Sequence, residues 1–258
     1  MKKIDYFIKK YLENRPMFMA IIRSQEAMLF QKYKKLIKGR ILDFGCSEGF
    51  FAQTVFGKNK INVGLDLFNN ERIKEAKKEK VYKKITLYDG NKIPYPDNYF
   101  NTVVSNCVLE HIPNIKLSLK EIYRVLKPGG YFLTSVMVDQ WENYLFGSKI
   151  FGKMYIDHMR KTQIHHNLLA NKLWKSYFQK TGFEIQSVEG YLYKKSSLFL
   201  DLFHYLSIGS LICHKLFKKW VLFSIAFLNK KITQFIKKII VNENNPDKAS
   251  ALFFVLKK

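Results

Sequence analysis

Cysteine, proline and acidic residues are all scarce in this chain. Its 258 residues hold three cysteines, six prolines and 13 glycines. Cys46, Cys107 and Cys213 are too few for a disulfide framework and lack metal-type spacing, so they read as ordinary core thiols in a reducing compartment. No cluster of His, Cys, Asp and Glu has the spacing of a metal site, and none is expected. There is no internal repeat and no Pro/Gly/Ser-rich tract of the kind that joins independent domains. A bilayer span needs roughly 18–20 apolar residues in a row, and that run is missing too. Residues 198–213 are apolar but include Asp201 and His204, residues 220–228 are too few, and Lys215, Lys218 and Lys219 separate the two. Met1-Lys2-Lys3 would open a signal peptide, yet Asp5, Lys9 and Lys10 interrupt the apolar stretch that must follow. Export is not expected, and the reading is cytoplasmic.

What is abundant is base and apolar surface. Lys and Arg number 44 against 21 acids, a net charge of +23, and this implies an anionic partner: nucleic acid, a lipid surface or an acidic substrate. A hydrophobic content of 47% in a chain this long supports a full core. Residues 1–38 read as a helical cap broken at Pro16, with Ile4, Phe7, Ile8, Tyr11 and Leu12 forming an apolar stripe that packs on its own domain. From 40 to 135 strands and helices alternate, with strands near 40–44, 61–65, 84–88, 101–106 and 131–136. That alternation implies a doubly wound, mostly parallel sheet with ligands at the carboxyl ends of its strands. Residues 183–188 and 251–256 read as sixth and seventh strands. The expected division is a catalytic domain over 39–190, an insertion over 191–245 and the final strand within 246–258.

The sharpest local signal is Ile41-Leu42-Asp43-Phe44-Gly45-Cys46-Ser47-Glu48-Gly49-Phe50, a buried strand, a glycine turn and the start of a helix in succession. Gly45 lets the backbone turn sharply and approach a ligand, and Gly49 permits close packing of the next helix. A second apolar strand, Ile61 to Leu65, ends at Asp66, where a carboxylate can accept hydrogen bonds from both hydroxyls of a ribose.

These residues resemble the class I S-adenosylmethionine-dependent methyltransferases of the small-molecule type, over roughly residues 36–190. Asp43-x-Gly45-x-x-x-Gly49 is similar to the family's first motif and Val63-Gly64-Leu65-Asp66 to its second. Tyr88-Asp89-Gly90 with the segment Ile93 to Asn101, then Val103 to Ile112, then Glu121 to Tyr131, continue the likeness in order. Ser47 departs from it, standing where many members have glycine. The resemblance implies a Rossmann-like seven-stranded fold and S-adenosyl-L-methionine as cofactor. It implies cofactor contacts from Asp43, Gly45, Cys46, Gly49, Asp66, Leu67, Asp89, Gly90 and Asn106. His111 falls where the acceptor should meet the methyl group, and is expected to line the substrate pocket. His165 and His166 lie in the loop region 139–171, where such enzymes add substrate-binding elements, and are the candidates for general base.

Family members commonly join the last two strands by a short hairpin, whereas here about sixty residues intervene. The last part of this helical, apolar insertion sets Lys230, Gln234, Lys237 and Lys238 on one face and Ile232, Phe235, Ile236, Ile239 and Ile240 on the other. Such a helix suits either the plane of an anionic membrane, giving peripheral contact through 198–240, or a face buried against the protein itself or a partner. The function expected is O-methylation of a small or lipid-linked acceptor, a cell-envelope glycan or lipid precursor, at a membrane surface. A nucleic-acid methyltransferase suits the charge but lacks support: Ser105-Asn106-Cys107-Val108 does not carry the Asn/Asp-Pro-Pro-aromatic signature, and no RNA-binding module is appended. A non-catalytic cofactor-binding partner protein is the third class.

Overall fold

The structure, a computed structural model, describes residues 3–68, 70–240, 243 and 245–258. Seven strands form one sheet in the order β3-β2-β1-β4-β5-β7-β6. They are β1 (Ile41–Phe44), β2 (Ile61–Leu67), β3 (Tyr82–Tyr88), β4 (Phe100–Asn106), β5 (Leu126–Met137), β6 (Glu184–Tyr191) and β7 (Ala251–Lys257). The first five pair in parallel, with Asp43 level with Gly64 on one side and Val104 on the other. The strand order reverses between β1 and β4, and the ligands of open α/β sheets sit at the carboxyl ends of strands flanking such a reversal. The helices are α1 (Lys3–Asn14), α2 (Met17–Lys32), α3 (Phe50–Phe56), α4 (Ile73–Lys78), α5 (Ile115–Val125) and α6 (Gln140–Tyr144). They continue with α7 (Phe146–Gln163), α8 (Asn171–Thr181), α9 (Lys194–Leu206), α10 (Ile208–Phe217) and α11 (Ala226–Ile239). The expected doubly wound sheet is present, and α9, α10 and α11 fill the interval between the last two strands.

The chain divides into two compact units. The sheet unit comprises 30–138, 164–189 and 252–258, and the helical unit comprises 1–29, 139–163 and 190–251. The helical unit thus takes in residues 139–163, which the sequence reading placed inside the 39–190 domain. That interval is also not a loop: it forms α6 and all of α7, with a break at Gly152 (φ 54°, ψ −135°).

In the sheet unit the core is aromatic. Trp174 and Phe178 of α8 stack on each other, and Phe178 also meets Phe132, Phe183 and Phe254 at centroid distances of 4.9–6.5 Å. Asn114 starts α5 by accepting a hydrogen bond from the Leu117 N–H, and α8 stops at Gly182, whose φ of 110° is cheap only without a Cβ. One side chain ties the loop of 93–97 to α5. The Arg124 guanidinium donates to Glu121, to Asp97 and to the carbonyls of Ile93 and Tyr95, while Glu121 accepts the Ile93 N–H at 2.8 Å. That Arg124 pairing holds the Glu121 carboxyl below its usual range.

In the helical unit α1 buries Phe7, Ile8, Tyr11 and Leu12, the stripe expected to pack on its own domain, and α11 lies against it. Asp201, which interrupts the apolar run of α9, is fully buried. Its carboxylate accepts the Tyr155 hydroxyl at 2.6 Å and the Gly147 N–H at 3.0 Å. An acid in an apolar helix is tolerated when both oxygens are engaged in this way.

Candidate functional site

The carboxyl end of β1 runs into a turn that only certain residues can make. Gly45, Ser47 and Gly49 all have positive φ, at 80°, 45° and 76°. At Gly45 the reason is also steric: a Cβ there would lie 2.5 Å from Val108. The turn is fastened to β2 by three backbone donors. Gly45 and Cys46 give their N–H groups to the Leu65 carbonyl at 2.9 and 3.1 Å, and Ser47 gives its own to Asp66 Oδ2 at 2.6 Å. Ser47 occupies a left-handed conformation that glycine adopts more easily, which accounts for the glycine of many members, and nothing in the structure explains the serine.

Asp66 closes β2 with its second oxygen accepting the Leu67 N–H at 2.8 Å. Each carboxylate oxygen can accept two hydrogen bonds, so capacity for a pair of hydroxyls remains beside the turn. Asp43 is buried and accepts the Tyr82 hydroxyl at 2.7 Å. Burial pushes the Asp43 carboxyl up to about 7, an effect opposed by the Tyr82 hydrogen bond and reinforced by the Asp66 charge. A cationic amino group arriving at Asp43 would reverse that shift. Cys46 is buried beside it, and burial raises its thiol. A Cβ on Gly64 would lie 2.9 Å from both Cys46 Sγ and Tyr82. The residues present thus fit a ligand with an ammonium group and a vicinal diol.

Farther along the strand ends, Leu67 is 41% exposed at the tip of β2, and Gly90 follows β3 with φ 90°. Asp89 is exposed and folds back on its own turn, accepting the Asn91 N–H at 2.9 Å and the Asn91 amide at 3.0 Å; these bonds hold its carboxyl below the usual range. At the end of β4, Asn106 accepts the Ser135 hydroxyl at 2.8 Å, and Cys107 turns with φ 51° while its N–H reaches Ser135.

The histidines part company. His111, in a short turn after β4, stacks on His165 with centroids 5.0 Å apart, and its Nδ1 lies 3.2 Å from the Ile164 carbonyl, which requires the proton on Nδ1. His165 is driven down to about 4, first by burial and then by the charge of His111, so its ring is neutral at physiological pH. His166 is exposed; its backbone N–H, not its ring, is used, donating to the Glu110 carbonyl at 2.8 Å. Asn167 completes the attachment, with its side-chain amide 2.6 Å from the Ile112 carbonyl and its N–H 2.9 Å from that of Glu110. Sequence reasoning missed Tyr82, Val108 and Asn167. Tyr82 and Val108 looked like strand and core residues, and nothing local marks a side chain whose partner lies 39 residues away.

Known proteins are similar to this chain in sequence or in fold. Residues 42–134 match the family model described as a methyltransferase domain. The ubiquinone/menaquinone biosynthesis C-methyltransferase UbiE of Rickettsia akari is 32% identical over 130 residues, covering 46% of this chain and 51% of that protein. The sterol 24-C-methyltransferase of Aspergillus fumigatus is 30% identical over 144 residues, 52% of this chain and 37% of that protein. The chain spans about half the length, or less, of these two relatives. Among solved structures, an N-methyltransferase of Haemonchus contortus in complex with phosphomonomethylethanolamine and S-adenosylhomocysteine superposes with a TM-score of 0.58, at 20% identity over 91% of this chain and 53% of that one. The cyclase SpnF superposes with a TM-score of 0.57 at 18% identity over 90% and 80% of the two chains, so the fold by itself does not fix the reaction. Taken with the glycine turn, the acid near the end of β2 and the strand order, these likenesses support residues 42–134 as the methyltransferase domain of a class I S-adenosylmethionine-dependent methyltransferase.

Proposed function

We propose that the chain methylates a small or lipid-linked acceptor, a cell-envelope glycan or lipid precursor, on an oxygen atom and at a membrane surface. The observation that carries the cofactor half of this reading is the turn 45–49, bonded to the Leu65 carbonyl and to the Asp66 carboxylate, with Asp43 buried beneath it. Asp66 holds the ribose hydroxyls, Asp43 the amino group, and Leu67 and Gly90 flank the base. S-adenosylmethionine bound there supplies a methyl group on a sulfonium, already activated for in-line displacement. The protein's task is then to hold the acceptor in near-attack geometry and to exclude water, which together can contribute ~7–11 kcal/mol.

For the acceptor half, the His111–His165 stack supports a hydroxyl. A hydroxyl acceptor methylated there would have to give up a proton that becomes strongly acidic as its oxygen gains the methyl group, so a base beside it is needed. A neutral imidazole can take that proton even when burial has made it a weak base. His165 is the base in this reading, His111 lines the pocket, and His166 serves through its backbone. A carbon acceptor is the second reading, favoured by the names of the two sequence relatives, both C-methyltransferases. The deciding experiment supplies labelled S-adenosylmethionine with a total lipid and polysaccharide extract. Label in an ether or ester of the lipid fraction supports the proposal, label on carbon supports the second reading, and no transfer to any fraction overturns both.

A further inference from the structure

The helical unit exposes an apolar surface that the methyl-transfer chemistry leaves unused. It lies within the 198–240 segment expected to make peripheral contact, but not on the amphipathic helix that ends that segment. In α11 much of the apolar stripe is covered inside the unit: Ile236 and Ile239 are buried, α11 packs on α1, and Phe235, 38% exposed, meets Phe199 of α9 edge-on at 5.0 Å. Lys237 is likewise engaged, with Asp5 at 2.8 Å.

The preceding helix behaves in the opposite way. None of the residues of α10 is buried, although Ile208, Leu211, Ile212 and Leu216 recur at three- and four-residue spacing on one face and are 45–69% exposed. Lys218 ends α10 in a left-handed conformation, and Trp220 stacks back on His214 at 3.9 Å, so the segment that follows is folded onto the helix. Phe217 at the end of the helix is 57% exposed, and Phe223 in the segment that follows is 86% exposed. Monomeric proteins rarely leave such a contiguous run bare unless something covers it.

Charge identifies the cover. Lys215, Lys218, Lys219, Lys230 and Lys231 are exposed around the run, and no acid occurs between Asp201 and Glu243. Asp201 itself is withdrawn into the interior by Tyr155 and Gly147. A second copy of the chain would bring five more lysines against these five, and a polyanion such as RNA would leave the apolar side chains unexplained. Length limits the depth. Ten residues of α-helix extend ~15 Å, half of the ~30 Å hydrocarbon core. A bend of 47° separates α10 from α9, and no single helix among the described residues is long and apolar enough to cross a membrane.

The geometry points to α10 and the 217–228 segment as an interfacial anchor for an anionic lipid leaflet, its apolar side chains at the acyl boundary and its lysines among the headgroups. The anchor deepens the membrane reading given above and rests on it for its purpose, but its physics is independent of cofactor binding. The test is flotation of the full chain with vesicles of phosphatidylcholine alone or mixed with phosphatidylglycerol. The chain is expected to float with the mixed vesicles at low salt, less with the neutral ones, and less at high salt. Replacing Lys218 and Lys219 by Glu should lower partitioning into mixed vesicles by about five-fold per lysine or more. Leu216→Glu and Phe223→Glu should lower it about ten-fold in both kinds of vesicle. Helix content by circular dichroism and binding of S-adenosylhomocysteine check that each variant is folded, and the exposed lysine pair keeps the test open if the apolar variants are not. A wild-type chain that stays below the gradient with mixed vesicles, or that floats as well after all of these substitutions, overturns the anchor. So does a dimer in solution that loses its association on Leu216→Glu. Flotation without any binding of S-adenosylhomocysteine would instead sink the cofactor reading and leave the anchor standing.

Discussion

The two units of this protein use charge in opposite ways. In the sheet unit, acids are placed singly and aimed: Asp43 under the glycine turn, Asp66 at its side, Glu121 on Arg124. In the helical unit, lysines outnumber acids over a long stretch and the exposed ones are arranged by region, not by contact. The first pattern recognises one ligand with fixed polar groups. The second suits a surface whose charge is spread. Substitutions that separate these two uses of charge are the way to test the contrast.

The largest expected effect on turnover is in the proposed acceptor pocket of the sheet unit. His165→Ala should lower turnover by about 10²-fold, the lower end for a general base, because burial weakens its basicity. His166→Ala should stay within about twofold, since only its backbone is engaged. Equal losses in both, measured as kcat at saturating cofactor, would contradict the assignment. Burial of His165 also has a stability sign. Its proton affinity is lower folded than unfolded, so the unfolded chain binds the extra proton between pH about 6.5 and about 4, and stability falls as pH drops through that window.

Gly45→Ala comes next, at about 2–5 kcal/mol of stability, from a positive φ combined with overpacking against Val108. Thermal unfolding of the single and double variants should show Val108→Ala recovering the steric part but not the φ part. Strict additivity would mean that the close approach does not exist.

A smaller, pH-dependent effect follows from Asp43. Its carboxyl holds its proton up to about pH 7 when folded and to about 3.9 when unfolded, so folding loses stability as pH rises from 4 to 7. Asp43→Asn removes the buried charge and should be more stable than the wild type at pH 8 but not at pH 4, while binding S-adenosylmethionine more weakly at pH 8. Unfolding curves at the two pH values check the first part and calorimetry the second. Smallest of all, Ser47→Gly should stabilise the turn by less than about 1 kcal/mol, by relieving its left-handed conformation.

Much of the sheet unit was legible in the sequence because its elements are defined locally. A strand, a glycine turn and an acid about twenty residues on are fixed by backbone geometry, and β1, β2 and β4 lie where the alternation of apolar residues put them. Asp89 was legible only as far as its turn, and the structure gives its carboxylate to Asn91. The helical unit was less legible because amphipathicity reports that a face is buried and not what buries it. The stripes of α1 and α11 proved to be each other's cover, while the exposed face belongs to α10, where the sequence showed only an apolar run with lysines after it. Residues 139–171 read as a loop region by resemblance to the family, yet 140–144 and 146–163 are helical, and Gly147 packs against Tyr155 so closely that a Cβ would lie 2.3 Å from that ring.

The central claim is that the turn 45–49 and Asp66 form the cofactor site of the sheet unit. Titration calorimetry of S-adenosylhomocysteine into the wild type and Asp66→Ala tests it most directly. Loss of charge-assisted hydrogen bonds worth ~1.5–3 kcal/mol predicts affinity reduced by about 10- to 150-fold, with vesicle binding unchanged. Unchanged affinity in Asp66→Ala, with the variant folded, would contradict the account.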